Sequence, residues 1–235
     1  MRMKTSIYSG HRFPPYVIRR AVWLYFRFNL SFRDVEDLMA ERGVDVSYET
    51  IHKWVRKFGR FYTNLIKARS EKPSRVWHLD EIYTKTNGKM VYIWRAVDDE
   101  GTVLDVVVQN RKNTKAAKRL LYKLMRNQGV MPDRVVTDKL ESYGAALKKR
   151  RLNHLRDVGG RKNNRAENSH LPIRRRERKA QRFKSIKSAQ RLLSIYGPLY
   201  NLFNHRRHLI SRNTLRKFRR IAQFEWNVVN SPVMG

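Results

Sequence analysis

The sequence predicts an α/β protein, with an all-helical module at the amino end and then a mixed sheet flanked by helices. The observations that predict it are changes of pattern. Apolar residues recur at helix spacing from Pro14 to Phe58, and after Pro73 the chain turns to strand-like Val, Ile, Tyr, Trp and Thr. From Asn113 onward, helical and strand segments alternate. A chain of 235 residues has room for such a core of roughly 100–150 residues plus a small module. It buries about 70% of its unfolded surface without any staple. Lack of cysteine excludes disulfides, haem attachment and thiolate zinc sites.

In the first module, Val17, Ile18, Ala21, Val22 and Tyr25 form one apolar stripe, opened by Pro14-Pro15. Ser31 caps a second helix, with Asp34 at capping-box spacing; Val35, Leu38 and Met39 are its inner face and Gly43 its stop. Ser47 caps a third, with Ile51, Trp54, Val55 and Phe58 inward. Short helices around a glycine turn form a helix-turn-helix pattern. The third helix then shows Tyr48, Thr50, His52, Lys53, Arg56 and Lys57 outward, suited to base edges and phosphates. The module spans 1–60, and 61–74 is a helical tail and linker.

Three strands follow, 75–86, 89–97 and 103–108, separated by Asn87-Gly88 and by Asp98-Asp99-Glu100-Gly101 turns. Asn113 or Thr114 opens a helix that buries Ala117, Leu120, Leu121 and Leu124 and stops at Gly129. A strand over 134–137, a helix over 142–150, an apolar segment over 155–158 and a helix from Asn163-Asn164 complete the order. A βββ-α-β-α-β-α order is the ribonuclease-H-like arrangement, expected over 75–210 and followed by a basic tail, 211–235. Gly197-Pro198 is expected to break a late helix that carries Ala189, Leu192, Leu193 and Tyr196.

Charge narrows the function. Fifty-two Lys and Arg against 20 Asp and Glu leave +32, which calls for a polyanion, and nucleic acid is the expected partner. The longest apolar run is six residues, Ala21 to Phe26, which leaves no membrane span and makes the cytoplasm the expected compartment. Residues 75–109 carry four basic and six acidic side chains, whereas 161–184 carry ten and two. This is an acidic centre in a basic cradle.

Within that centre, Asp80 lies mid-strand between Leu79 and Ile82, where a charge is costly unless paired or metal-bound. Asp138 ends a strand, where ligand sites collect, and Glu167 lies on a helix among asparagines. Three such carboxylates are able to hold two Mg²⁺ ions roughly 3.5–4 Å apart, with Mn²⁺ as a substitute. Glu81, Asp98, Asp99, Asp105, Asp133, Glu141, Asp157 and Glu177 carry the ordinary reading of surface carboxylates.

Trp77-His78-Leu79-Asp80-Glu81, Thr137-Asp138-Lys139 with Tyr143-Gly144, and Asn163-Asn164-Arg165-Ala166-Glu167-Asn168-Ser169-His170 resemble transposases of bacterial insertion sequences of the IS6 (IS26-like) family. The likeness runs from the helix-turn-helix to about residue 205. It implies a DDE core with its acids at Asp80, Asp138 and Glu167, and a DNA-holding basic residue at Arg174, seven positions after the glutamate. It also implies binding of terminal inverted repeats, strand transfer into target DNA with cointegrate formation, and a homodimer or larger assembly. The 28 residues between Asp138 and Glu167 are fewer than is common in the family. Arg174, Arg175 and Arg178, in a run of cations after Glu167, would lead phosphates to the metals. No His-x-x-Arg marks a tyrosine recombinase and no GxxxxGK[ST] a nucleotide motor. The competing readings are an inert helix-turn-helix regulator and a nuclease that cuts without joining.

Overall fold

The computed structural model describes residues 6–159, 163–205 and 210–230, without the side chains of Asn164, Arg165 and Asn230. The sequence reads His205 to His208 as part of a basic, DNA-facing segment, and residues 206–208 of it lie outside that set, as does 209. The chain divides into two compact units, Met1–Ser70 with Pro198–Gly235, and Glu71–Gly197.

The second unit is built on five strands, β1 (Val76–Thr86), β2 (Lys89–Asp98), β3 (Val103–Gln109), β4 (Arg134–Thr137) and β5 (Arg156–Val158), in the spatial order β3-β2-β1-β4-β5. The first three are antiparallel neighbours, and β4 and β5 add in parallel. This is the expected ribonuclease-H-like α/β core. Asn87 and Gly88 both take left-handed φ (50° and 75°), so a two-residue turn sets β1 against β2 in register Thr86↔Lys89. At the opposite end of β2, the buried Asp98 carboxylate accepts from Thr102 N (2.7 Å) and Ser74 N (3.4 Å).

Period-two alternation divides the strand residues between two cores. Trp77, Leu79, Trp94, Ala96 and Val107 face α4 (Thr114–Gln128) and α5 (Glu141–Lys148). Ile82, Ile93, Val106 and Val108 face Ile173 of α7 (His170–Lys179) and Ala189 and Leu193 of α8 (Ile186–Phe203). α6 (Asn164–Asn168) lies between β5 and α7 in the chain. The Asn113 side chain caps α4, and Gly129 ends it at φ 65°. On edge strand β3, Gln190 of α8 accepts from Val108 N (2.8 Å) and donates to Val106 O (3.0 Å), so a side-chain amide occupies ladder positions that a neighbouring strand would otherwise take.

The first unit holds α1 (Pro15–Arg27), α2 (Phe32–Ala40) and α3 (Tyr48–Arg69), with the Ser31–Asp34 capping box formed and Ser47 capping α3. α3 does not stop near Phe58. Tyr62, Thr63 and Ile66 continue its buried face, and one helix replaces the expected short helix and tail.

The contact-based division falls inside the expected 75–210 span, and the expected tail, 211–235, groups with the first unit. The C-terminal stretch forms α9 (Arg212–Asn230), whose Ala222, Trp226 and Val229 are buried. Trp226 meets Tyr62 edge-on with ring centroids 5.2 Å apart, and Glu225 pairs with Arg69 at 2.7 Å. A narrow apolar stripe inside a cationic helix is easily read as tail. The division falls at Pro198, inside α8, which the sequence breaks there and the structure carries on to Phe203. Leu193, Tyr196, Leu199 and Phe203 are all buried at helical spacing, and their packing outweighs the roughly 3 kcal/mol proline penalty. Among the described residues no helix is long and apolar enough to cross a membrane.

Trp226→Ala is expected to cost about 3–5 kcal/mol. Phe224→Ala, two residues away and 63% exposed, should change stability by less than about 0.5 kcal/mol. Urea denaturation of the two variants checks the packing of α9.

Candidate active site

β1 and β4 run parallel with Leu79 opposite Thr137, so the residues that follow each, Asp80 and Asp138, arrive side by side at the sheet centre. One oxygen each from Asp80, Glu81 and Asp138 lies within 4.8 Å of the others. Glu81 points to the opposite face from Asp80, as strand alternation demands, but its longer side chain still brings an oxygen into the group. Such crowding of like charge has to be held.

Asp80 Oδ1 accepts from Glu81 N at 2.8 Å, and Oδ2 lies 3.2 Å from His170 Nε2 at the start of α7, at a poor hydrogen-bonding angle. Asp138 Oδ1 accepts from Leu140 N at 3.0 Å. Glu81 is ion-paired to Lys112 and accepts from Tyr143 Oη at 3.4 Å. Burial raises the Glu81 pKa, the Lys112 ammonium opposes this, and the Asp138 and Asp80 charges add to the rise. Lys112 is correspondingly pushed up by Glu81. The buried Tyr143 hydroxyl is raised by desolvation first and then by Glu81, Asp80 and Asp138, so it stays a donor.

Arg156 of β5 braces the segment that carries Asp138. Its guanidinium donates to Thr137 Oγ1 (3.1 Å), Asp138 O (3.3 Å) and Leu140 O (3.1 Å). It reaches them across Gly144, where a Cβ would overlap its Nη1. The Tyr143-Gly144 pair thus has a physical meaning: a hydroxyl for Glu81 and room for Arg156.

The structure brings Asp80 and Asp138 together; it does not bring Glu167 to them. Glu167 is exposed on α6, outside the group of three. α6 is nevertheless tied to the strands beside Asp80. The buried Asn163 donates from Nδ2 to Leu79 O (3.0 Å), and Arg95, cross-strand from Asp80, donates to Ser169 O (2.6 Å). A fourth carboxylate would be repelled by the three unless cations accompanied it.

Glu81 corrects the surface reading given to it, as do the buried Asp98 and Asp105. Asp105 is held by Lys123 (2.7 Å) and Asn127 (2.8 Å). The missed signal was position: a carboxylate inside an apolar strand needs a partner. The partners Lys112, Tyr143 and His170 come from distant segments and left no local signature.

Of the expected DNA contacts, His52, Lys53, Arg56 and Lys57 are exposed along one stretch of α3. Thr50 is half-buried beside its cap, and Tyr48 is half-buried with Arg33 4.5 Å over its ring. Arg175 and Arg178 are exposed on α7, and Arg174 is half-buried, 5.4 Å above the Tyr83 ring and 3.7 Å from Glu177. Arg176, in the same run, is wholly buried, and desolvation pushes its pKa down to about 10, with Tyr196 opposing. Glu177 accepts from Thr84 of β1. The cationic run is therefore partly internal framework.

Residues 74–206 match the DDE-domain model of IS240-type transposases. This chain belongs to the IS6 family of DDE transposases. It is 34% identical over 133 residues to the transposase for the insertion sequence-like element IS431mec of Staphylococcus aureus strain Mu50, an alignment covering 57% of this chain and 59% of that protein. The transposase for insertion sequence element IS257 in transposon Tn4003, also from Staphylococcus aureus, is 33% identical over the same length and shares. The chain thus spans about 59% of the length of these relatives. A solved simian T-cell lymphotropic virus intasome, in complex with PP2A regulatory subunit B56 gamma, overlaps 71% of this chain and 58% of its own with TM-score 0.47 and 13% identity, too distant to bear on function.

In this IS6-family chain the clustered donors are all carboxylate oxygens, a set that fits a hard divalent cation such as Mg²⁺ or Mn²⁺. Gly144→Ala should displace the Arg156 guanidinium and cost about 1–3 kcal/mol. In an Arg156→Ala background the same change should be nearly neutral. Denaturation of the four members of that double-mutant cycle measures the coupling.

Proposed function

We propose that this chain is a DNA transposase that binds the terminal inverted repeats of its element and transfers a strand end into target DNA with the help of divalent metal. The observation that carries the proposal is the convergence of Asp80 and Asp138 on adjacent parallel strands inside a family-matched DDE domain. Asp80 and Asp138 would hold the metal, with Glu167 as the third acid that the family resemblance assigns. Bound there, two Mg²⁺ ions would activate the attacking oxygen and stabilise the leaving one.

The chain's own residues do the rest. Glu81 N–H and Leu140 N–H keep the two aspartates aimed, His170 stands against Asp80, and Arg156 stiffens the segment behind Asp138. Phosphoryl transfer of this kind depends mainly on positioning and electrostatics. Exposed Arg175 and Arg178, with Arg174 beside Tyr83, would track the scissile strand. His52, Lys53, Arg56 and Lys57 of α3 would face the repeat, with Tyr48 and Thr50 at the helix start. Cointegrate formation and a dimer or larger assembly that pairs two ends follow from the same family resemblance.

The test is a joining assay with full-length protein, Mg²⁺, a labelled duplex bearing the element's own end, and plasmid target. Joining should fall to background in Asp80→Asn, Asp138→Asn and Glu167→Gln, and on adding EDTA, while DNA binding persists. Normal joining by Glu167→Gln would remove that residue from the metal set. Binding without cutting or joining by the unmodified chain, in Mg²⁺ and in Mn²⁺, would favour the inert regulator.

A further inference from the structure

Residues 6–13, ahead of α1, are fixed on α3 by their aromatic side chains. Tyr8 is buried, its hydroxyl 2.8 Å from that of Tyr62 and its ring stacked on Phe58 at 5.0 Å. His11 lies 5.1 Å from the Phe58 ring, and Phe13 meets Trp54 edge-on at 5.3 Å. Gly10, at φ 75°, turns the segment between them. Ser6, Ser9, His11, Arg12, Pro14 and Pro15 then line an open depression of about 430 Å³.

The charges at this place are unbalanced. Lys57 Nζ of α3 stands 2.8 Å from His11 Nε2, and Arg12 is exposed beside them. No acidic side chain is ion-paired with any of the three among the described residues. Two basic groups at that distance require His11 to be neutral and to accept from the ammonium. Burial and the Lys57 charge indeed hold the His11 pKa below its ordinary value. A loop that presents Arg12 and hydroxyls to an open depression, with Lys57 of α3 against the His11 that lines it, is complementary to a singly charged, oxygen-rich group. Lys57 also belongs to the exposed stretch of α3 that holds Lys53 and Arg56. An anion here would therefore be continuous with whatever those residues face.

We propose that residues 6–13 and Lys57 form a phosphate site that grips one backbone phosphodiester of the duplex facing α3. Arg12 and Lys57 supply charge, and Ser9 supplies a hydroxyl donor. The site rests on the proposed role of α3 and adds to it a contact that sets the position of the helix without reading sequence. The open mouth suits a phosphate that arrives attached to a large ligand.

The experiment is fluorescence anisotropy of the full-length chain with a labelled duplex of arbitrary sequence, between about 50 and 200 mM salt. Arg12→Gln should bind about three- to tenfold more weakly whatever the duplex sequence, and lower the log–log salt slope by about one. Ser9→Ala should weaken binding less and leave the slope unchanged. Thermal melting like that of the unmodified chain shows that neither change disturbs the fold. Unchanged affinity and slope in both variants, alongside a loss in Lys53→Ala, would overturn the site. A loss in Arg12→Gln with none in Lys53→Ala would keep the site and sink the role of α3. Displacement of the duplex by inorganic phosphate at fixed ionic strength, abolished by Arg12→Gln, would assign the loop to free phosphate and overturn the DNA assignment.

Discussion

Repulsion among the carboxylates of Asp80, Glu81 and Asp138 is the constraint that shapes the second unit. Their oxygens lie within 4.8 Å of one another, and like charges so close are tolerated only when each is held from another side. The surroundings supply this from separate elements. Backbone N–H groups of Glu81 and Leu140 take one oxygen from each aspartate, Lys112 and Tyr143 take Glu81, and His170 stands against Asp80. The same crowding makes the site receptive to a divalent cation, because the cation relieves the repulsion that the scaffold otherwise carries. The Gly144 gap, the Arg156 brace and the Asn163 tether fix the strand ends that carry the two aspartates.

Much of the fold was legible because local and global signals agree. The Asn87-Gly88 turn, the Ser31 and Ser47 caps and the Asn113-to-Gly129 helix are short-range patterns, and the structure has each in place. What escaped depends on long-range packing. α9 intersperses its apolar residues with cations, and contact with Tyr62 and Phe203 helps turn Trp226 into core. Pro198 carries a breaker's signature, which buried neighbours on both sides override. The site divides in the same way. Asp80 stood out as a charge in an apolar strand and Asp138 as a strand-end acid, whereas Glu81 needed the position of Lys112, 31 residues on, to become more than surface.

The formal charge of +32 is not spread as a coat. Arg95 and Arg176 are interior residues, one tied to the end of α6 and the other desolvated on α7. Arg20 and Arg27 lie over the rings of Trp23 and Phe28. Cations therefore serve twice, as framework where they meet carbonyls and aromatic faces, and as exposed charge along α3 and α7. Composition alone merges the two uses, and burial separates them.

Gln190 gives the sheet a quieter property. By offering Val106 and Val108 an amide where another strand would bond, it closes the β3 edge to strands from other molecules. In dilute solution the large positive charge opposes unspecific association of copies. Crowded along a polyanion, with that charge neutralised, copies lose this protection just where their local concentration is highest. The ladder groups of Val106 and Val108 stay occupied there, so sheet extension across this part of the β3 edge is blocked whatever the charge of the surface.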